Sequence, residues 1–229
     1  MASGLRKLYP SVSPNEALDY LRQCQVADGV RLGGRDQAQK LERWFRSRGF
    51  CLPKSAFTQG RVGAGAEHET FADVVGGWAI KLTHDGRFGH CLRSETDVST
   101  PIDYLLRLDL HNELFGDDIR VHGYLLSSAG LRIVTTQPWI VSHEIQLSPT
   151  QDQIDAFLRC FGFWRSSAFP DRYIYYNREA NLVIGDAQPA NLLLDTTGAI
   201  RPIDLVVTVP DEVSRTKLVT AWEFDVDHE

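Results

Sequence analysis

The stretch that most constrains this chain is residues 183–206, which read VIGDAQPANLLLDTTGAIRPIDLV. Three polar residues stand there beside apolar ones: Asp186, Asn191 and Asp204. Leucines follow Asn191, a Thr-Gly pair follows at 197–198, and an isoleucine precedes Asp204, so the pattern predicts a hairpin of two short strands. Such a hairpin places Asn191 and Asp204 side by side at one rim.

The chemistry of these three side chains suits phosphoryl transfer. A carboxylate and an amide oxygen are hard oxygen donors of the kind that Mg²⁺ prefers, so we predict Asn191 and Asp204 as metal ligands. The remaining carboxylate, Asp186, can then orient a hydroxyl nucleophile. A D-x-x-x-x-N string is common in loops, where Asp and Asn cap turns, so this interpretation depends on what stands upstream.

Two strings upstream fit the same chemistry. Residues 60–71 read GRVGAGAEHETF, and the backbone amides of residues 63–67 can approach phosphate oxygens because glycine lets the main chain come close. Residues 78–83, WAIKLT, alternate as a strand and carry Lys81. A Gly-Gly turn before them predicts a hairpin with residues 69–74.

These strings resemble the protein-kinase-like superfamily. Protein kinases carry H-R-D-x-x-x-x-N and then D-F-G, and aminoglycoside phosphotransferases carry H-G-D-x-x-x-x-N and then I-D. This chain has I-G-D-A-Q-P-A-N and then I-D-L, which is nearer the second style. The strings GAGAEHETF, AIKLT and LHNELFGDD look like the small kinase domain of bacterial and phage polyvalent proteins. One departure is His68, which stands where the third glycine of G-x-G-x-x-G is expected.

The resemblance implies ATP and Mg²⁺ as cofactors and a role for each string. The glycines would lie over the phosphates, Lys81 would bridge the α- and β-phosphates, and the segment after residue 134 would connect two lobes along the adenine edge. The residues implied to contact the nucleotide are Gly63, Gly65, Ala79, Lys81, Glu113, Gln137, Leu193 and Ile203. The catalytic residues implied are Asp186 and Lys81, and the metal ligands are Asn191 and Asp204.

A helix predicted over residues 100–115 supplies the acid that would pair with Lys81. One stripe of this helix is predicted to hold Ile102, Leu106, Asp109 and Glu113. Two acids in an apolar stripe need a cation or hydrogen-bond donors, because an unpaired buried charge is costly. By resemblance, the partner of Lys81 is Glu113 first, then Asp109, then the loop residue Glu95.

The predicted fold class is α+β, a two-lobed protein-kinase-like fold with a truncated C-lobe and extra N-terminal helices. We predict a helical extension at 1–55, an N-lobe at 56–140 and a short C-lobe at 141–229. After Asp204 the sequence lacks the A-P-E signature and has room for one short helix. The acceptor is therefore expected to dock on the N-terminal helices and the 84–99 loop, or a partner chain completes the site.

Composition bounds the partners and the compartment. The formal net charge of −6 argues against a broad electrostatic surface for nucleic acid. The four cysteines form no C-x-x-C pair, which predicts reduced thiols in a cytoplasmic protein. No apolar run reaches membrane-spanning length, so a membrane is not an expected partner.

The sequence therefore predicts an ATP- and Mg²⁺-dependent phosphotransferase whose acceptor, by resemblance, is a protein Ser, Thr or Tyr hydroxyl. A small-molecule acceptor, as in aminoglycoside phosphotransferases, is the enzymatic alternative, and adenylyl transfer is a further one. Two alternatives are not enzymes. In one, the chain is a catalytically idle kinase-like module that binds nucleotide or a partner, and in the other it is an adaptor that works through its N-terminal helices.

Overall fold

The computed structural model describes residues 9–53, 57, 60–73, 76–89, 99–127, 130–142, 147–170 and 172–226. Glu95 and most of the predicted 84–99 loop lie outside these residues. The chain divides into two compact units, of which the first ends at Trp139 and the second continues from Ile140. Among the helices described, none has the length and apolarity that crossing a bilayer requires.

Within the residues described, the first unit combines three helices with one antiparallel sheet. Its helices are α1 (Pro14–Asp28), α2 (Gly34–Ser47) and α3 (Pro101–Phe115). Its strands are β1 (Arg61–Ala64), β2 (His68–Asp73), β3 (Trp78–Thr83), β4 (Arg120–Ser127) and β5 (Gly130–Pro138). The five strands lie in the order β1-β2-β3-β5-β4, and the pairing of β2 with β3 confirms the predicted hairpin at 69–83.

The N-terminal helices form a packing layer, as the sequence predicts. The Ser13 hydroxyl accepts a hydrogen bond from the Glu16 amide at 3.2 Å and caps α1, and Gly29 ends the helix with a left-handed φ of 65°. Their apolar faces share one core cluster with α3 and the sheet. That cluster includes Leu18, Leu21, Leu41, Phe45, Tyr104, Leu105, Val121, Tyr124 and Ile133.

Two short segments beside these helices run along β4, which is the edge strand of the sheet. Val12 exchanges two backbone hydrogen bonds with Val121, both at 2.9 Å. After α2, the Tyr124 amide donates to the Phe50 carbonyl at 3.1 Å, and the Leu52 amide donates to the Tyr124 carbonyl at 3.0 Å. The segment predicted as a separate extension therefore shares both core and edge with the sheet.

The two faces of the sheet differ in character, and this fixes where Lys81 lies. One face holds an apolar cluster that includes Phe71, Ile80, Leu82 and Val134. Lys81 and Ala79 alternate with these residues and lie on the opposite face. Lys81 is paired with Thr135, and Ala79 is paired with Gln137. Ile133, two residues before Thr135, shares a core with α3, so the Lys81 face is the α3 face.

Helix α3 starts and ends where the sequence predicts. The Asp103 amide donates to the Thr100 hydroxyl at 3.3 Å, and the Asp103 carboxylate accepts from the Thr100 amide at 3.0 Å, which completes a capping box. Gly116 ends the helix with a φ of 62°.

The second unit holds two small antiparallel sheets and two helices. Its helices are α4 (Gln151–Arg159) and α5 (Glu212–Val226). One sheet has the order β11-β8-β7-β6, built from β6 (Trp164–Arg165), β7 (Tyr175–Asn177), β8 (Leu182–Gly185) and β11 (Val206–Thr208). The other is the hairpin of β9 (Leu192–Leu194) and β10 (Ile200–Pro202).

Ser148-Pro149 in the sequence predicts a helix start, but α4 begins after Thr150. The Thr150 hydroxyl accepts from the Gln153 amide at 3.3 Å, and the Gln153 side chain accepts from the Thr150 amide at 2.8 Å. This reciprocal capping box satisfies two backbone donors at the observed start of the helix.

Replacing Gly123 with alanine is expected to destabilise the first unit strongly. Gly123 has a φ of 120°, and a Cβ there would lie 2.0 Å from the Phe50 carbonyl oxygen. Strain and displacement of the Phe50 segment should lower the free energy of unfolding by about 2–4 kcal/mol, measured by urea denaturation. As a control, Gly65→Ala places its Cβ where nothing lies within 4 Å, and should change stability by less than about 0.5 kcal/mol. Equal stability of both variants would contradict the steric argument.

Candidate active site

Asp186 ends β8 in a backbone conformation that few residues adopt. Its φ is 56°, in the left-handed region, where Asp is tolerated better than most side chains. The next residue, Ala187, donates its amide to the Tyr173 carbonyl at 3.2 Å and is fully buried. The buried anchor fixes the turn, while the Asp186 side chain is exposed.

Two amide side chains hold the Asp186 carboxylate. Asn191 donates its Nδ2 to Asp186 Oδ2 at 2.6 Å and to the Asp186 carbonyl at 2.8 Å. Gln188 donates its Nε2 to Asp186 Oδ1 at 2.8 Å. Pro189–Asn191 forms a 3₁₀ turn that brings Asn191 back over the aspartate. Since the amide nitrogen of Asn191 faces Asp186, its Oδ1 lies on the other edge of the amide group.

The hairpin β9–β10 joins Asp204 to the same loop, as the sequence predicts. Leu192 pairs with Pro202 and Leu194 with Ile200. The Asn191 carbonyl then accepts from the amides of Ile203, at 2.9 Å, and Asp204, at 3.3 Å. The β8–β11 pairing of Gly185 with Val206 closes the loop from the other side. Asp186, Asn191 and Asp204 therefore come together within one unit.

The tip of this hairpin is organised by Asp195. Its Oδ1 accepts from the Thr197 amide at 2.9 Å and from the Ala199 amide at 3.0 Å, and its Oδ2 accepts from Arg201 Nε at 2.9 Å. The Thr197 hydroxyl and the Arg201 guanidinium hold the pKa of this carboxyl well below its usual range. The turn thus fixes the register that brings Asn191 to Asp204.

In the first unit, Asp117 is an acid whose pKa responds to the charge of Lys81. The Gln137 side chain, on the Lys81 face, donates to Asp117 Oδ2 at 2.5 Å, and His111 Nδ1 lies 3.5 Å from the same oxygen. Burial raises the pKa of the Asp117 carboxyl, while the backbone amide of Asp118, the Gln137 amide and the charge of Lys81 lower it in part. The Asp117 carboxylate is therefore within the electrostatic field of the lysine.

The predicted acidic stripe of α3 is wrong, because the helix is rotated relative to it. Glu113 is exposed, and Asp109 is half-buried against α1, where burial and the Glu113 charge raise its pKa and Arg22 lowers it. The buried face holds Tyr104, Leu105, Arg107, Leu108 and His111. The polar residues on this buried face have hydrogen-bond or ion-pair partners: Tyr104 bonds to His68 at 3.0 Å, and Arg107 pairs with Glu67. A role for Glu113 beside the nucleotide stays a prediction that these surroundings do not support.

Sequence reasoning missed Asp117 because it sought an acid at helical spacing. Asp117 lies just after the glycine that ends α3, and it accepts a hydrogen bond from Gln137 on the Lys81 face. The packing of His68 explains why the third glycine of the kinase pattern is absent. His68 is 4% exposed at the start of β2 and bonds to Tyr104, so this position belongs to the packed sheet and not to the exposed turn.

The predicted glycine positions lie in segment 63–67, which joins β1 to β2, is exposed over residues 63–66 and is called the glycine turn below. Gly63 is in β1 and Gly65 follows it, and an added Cβ at either would meet nothing within 4 Å. The Gly65 amide donates to the His68 carbonyl at 2.8 Å, and the ring of His84 bonds to the Gly65 carbonyl at 2.9 Å. The packing of the chain itself therefore does not require glycine at these two positions.

The remaining predicted nucleotide contacts are distributed over both units. Ala79 lies within the sheet between Ala72 and Gln137. Gln137 is 3% exposed, and its side chain is directed to Asp117. In the second unit, Leu193 lies in β9, and Ile203 follows β10 with its amide bonded to Asn191. Their contacts with adenine stay predictions.

Comparison with known protein families decides the relationship. A family model described as a serine/threonine/tyrosine kinase found in polyvalent proteins matches residues 34–211. The chain belongs to this kinase family. The match runs from the start of α2 to the residue before α5, with Lys81, Asp186, Asn191 and Asp204 inside it. Neither a curated protein nor a solved structure gives a match. Membership confirms the predicted resemblance to the kinases of polyvalent proteins, and the fold is mixed helix and sheet, as predicted.

Asp117→Asn is expected to change how the stability of this kinase domain depends on pH. Burial holds the pKa of Asp117 above its ordinary value of 3.8, so the folded chain binds more protons than the unfolded chain just above that value. The free energy of unfolding of the wild type therefore falls as pH rises through this window. In urea unfolding from about pH 3 to 7, the variant should gain stability relative to the wild type as pH rises.

Asp195→Asn is the matched control with the opposite sign. The pKa of Asp195 is lowered, so its stabilising contribution is present above the ordinary value of 3.8 and is lost as pH falls. The difference in free energy of unfolding between the wild type and Asp195→Asn should therefore decrease as the pH falls. A pH-independent difference between Asp117→Asn and the wild type would contradict the buried, titrating carboxyl.

Proposed function

We propose that this chain is an ATP- and Mg²⁺-dependent phosphotransferase with a protein hydroxyl as acceptor, and that its units are the two lobes of a kinase. The observation that carries the proposal is the interlocked loop of Asp186, Asn191 and Asp204. Family membership supports kinase chemistry.

Asp186 is the proposed group that orients the acceptor. Its two carboxylate oxygens accept from Gln188 and Asn191, so the side chain has one defined direction and need not be ordered when the acceptor binds. An acceptor hydroxyl that donates to this carboxylate has its oxygen directed at the phosphoryl group. As the acceptor oxygen bonds to the γ-phosphorus, the bond from that phosphorus to the oxygen bridging the β- and γ-phosphates breaks, ADP leaves, and Asp186 takes the acceptor proton.

Asn191 and Asp204 are the proposed metal ligands. Asn191 commits its amide nitrogen to Asp186, which turns its Oδ1 to the other side, and its carbonyl fixes the backbone of Asp204. One neutral and one anionic oxygen donor fit the coordination preferences of Mg²⁺. The metal, when bound, would neutralise charge on the phosphate oxygens.

Lys81 and the glycine turn are the proposed phosphate contacts of the first unit. Lys81 lies on the α3 face, where Asp117 provides a negative charge that keeps the ammonium oriented. No described contact within the chain requires glycine at positions 63 and 65. Close approach of a phosphate to the backbone would require it. Ala79, Gln137, Leu193 and Ile203 are proposed to surround the adenine.

Two other functions have an observation in their favour. The I-G-D and I-D strings are nearer the aminoglycoside phosphotransferase style, which favours a small-molecule acceptor. The packed His68 at the third glycine position leaves fewer flexible residues to enclose phosphates, which favours an idle nucleotide-binding module. A partner chain that completes the acceptor site is compatible with each of these functions.

Asp186→Asn is expected to abolish transfer and preserve nucleotide binding. Asparagine tolerates the left-handed backbone and has nearly the same shape, but it cannot accept the acceptor proton. With γ-labelled ATP, transfer to a lysate protein or to the chain itself should fall about 10²- to 10⁴-fold. Asp152→Asn, on the exposed first turn of α4, makes the same chemical change and should leave transfer intact.

The acceptor alternatives separate in the same assay. Label on protein supports the proposal, and label on a metabolite supports the small-molecule kinase. ATP binding with no labelled product in the wild type supports the idle module. Transfer by Asp186→Asn at the wild-type rate would contradict the role given to Asp186.

Asp204→Asn is expected to raise the Mg²⁺ concentration needed for half-maximal transfer. The change replaces an anionic ligand by a neutral one and keeps the backbone amide that donates to Asn191. Loss of one charge-assisted contact costs roughly 1.5–3 kcal/mol, which corresponds to about a 10- to 150-fold increase in that concentration. An Mg²⁺ titration of transfer checks this, and an unchanged midpoint would remove Asp204 from the metal site.

A further inference from the structure

We propose that the ion pair between Glu67 and Arg107 positions the glycine turn for the triphosphate, so that α3 controls ATP affinity through an arginine. Glu67 and Arg107 are positioning residues in this proposal and do not react. The inference rests on the proposed function, since it concerns how the same nucleotide would be held.

The contact is a two-point fork buried between the turn and the helix. Arg107 Nη1 donates to Glu67 Oε1 at 3.1 Å, and Nη2 donates to Oε2 at 2.6 Å. The side chains are 5% and 13% exposed, respectively, so the pair is well shielded from solvent. The guanidinium also lies 5.5 Å from the ring centroid of Tyr104 on the same helix. A bidentate pair fixes direction as well as distance, which a single contact does not do.

The turn that precedes Glu67 is otherwise open. Residues 61–66 are all exposed, and an added Cβ at Gly63 or Gly65 would meet nothing within 4 Å among the residues that the structure describes. His84 fastens the turn at Gly65, from the end of β3. Glu67 fastens its last residue to α3. The backbone amides proposed to meet phosphate thus lie in an exposed segment whose C-terminal residue, Glu67, is held by Arg107 of α3 and by the His84 amide, which donates to the Glu67 carbonyl at 3.3 Å.

A second contact confines the Glu67 carboxylate from the side of α3. Gly89 has a φ of 84°, and a Cβ on it would lie 2.8 Å from Glu67 Oε1. The Ser99 amide, next to the cap of α3, donates to the Gly89 carbonyl at 3.0 Å. Glu67 therefore fits between Arg107 and a glycine whose backbone is bonded to the start of the same helix. A displacement of α3 would displace both walls of this site.

The inward-facing residues of α3 decide how a movement of this helix would act on the phosphate contacts. Its buried face offers a cation, Arg107, to an acid on the turn, whereas the acid that responds to the charge of Lys81 lies after the helix at Asp117. Any partner or ligand that shifts α3 changes the turn through Arg107 and the lysine neighbour through Asp117. Affinity for the phosphates should respond to α3, and affinity for adenosine should not.

The test compares Arg107→Lys and Glu67→Gln with the wild type. Arg107→Lys keeps the charge and loses the fork, and Glu67→Gln keeps the shape and loses the charge. Isothermal titration should show ATP binding about tenfold weaker or more, with adenosine binding unchanged. The double variant should lose no more than the weaker-binding single variant, because both changes remove one contact. Arg46→Lys alters an exposed ion pair with Glu42 and should bind ATP like the wild type.

Each outcome bears on one of the two claims. Wild-type ATP affinity in both single variants, with a lower melting temperature, would mean that the pair only stabilises the fold, and would overturn the inference alone. Failure of the wild type to bind ATP would overturn the proposed function and the inference with it. If the variants do not fold, hydrogen exchange of the wild type decides. ATP should slow exchange in residues 63–67 and in α3 together, and protection confined to the turn would overturn the inference.

Discussion

The amide of Asn191 is the contact on which the candidate site depends. The side-chain nitrogen of Asn191 holds Asp186 in a backbone conformation that costs about 1–3 kcal/mol elsewhere, and the main-chain carbonyl of Asn191 accepts from the Asp204 amide. One residue thus ties the end of β8 to the end of the β9–β10 hairpin. Asp186 follows β8 and Asp204 comes shortly after β10, so the two carboxylates stand at the ends of strands from two different sheets.

Local hydrogen bonding explains why this part of the chain could be predicted from sequence. The hairpin is encoded by consecutive leucines, a turn closed by Asp195 and a second short strand, all within one short segment. The helix caps at Ser13 and Thr100 are equally local. Such features are set by residues a few positions apart, so a single sequence contains them.

Tertiary partners explain what could not be predicted. Helical spacing alone gives no sign that Arg107 faces inward, because its burial depends on Glu67, forty positions away. Because the buried face of α3 differs from the predicted one, Glu113 is exposed. The acid that responds to the charge of Lys81 is instead Asp117, which accepts a hydrogen bond from Gln137. Polar residues on a buried helix face are acceptable only when each has a partner, and no periodic pattern records those partners.

The backbone bonds from Val12 and from residues 50–52 to β4 have a consequence for any shortened version of this protein. β4 is an outer strand, and an uncovered outer strand offers a row of amides and carbonyls to another molecule. The family match begins only at residue 34, but a protein cut there would lose the Val12 cover. It would recruit a second copy by strand addition, and self-association rather than lost chemistry would be its first defect.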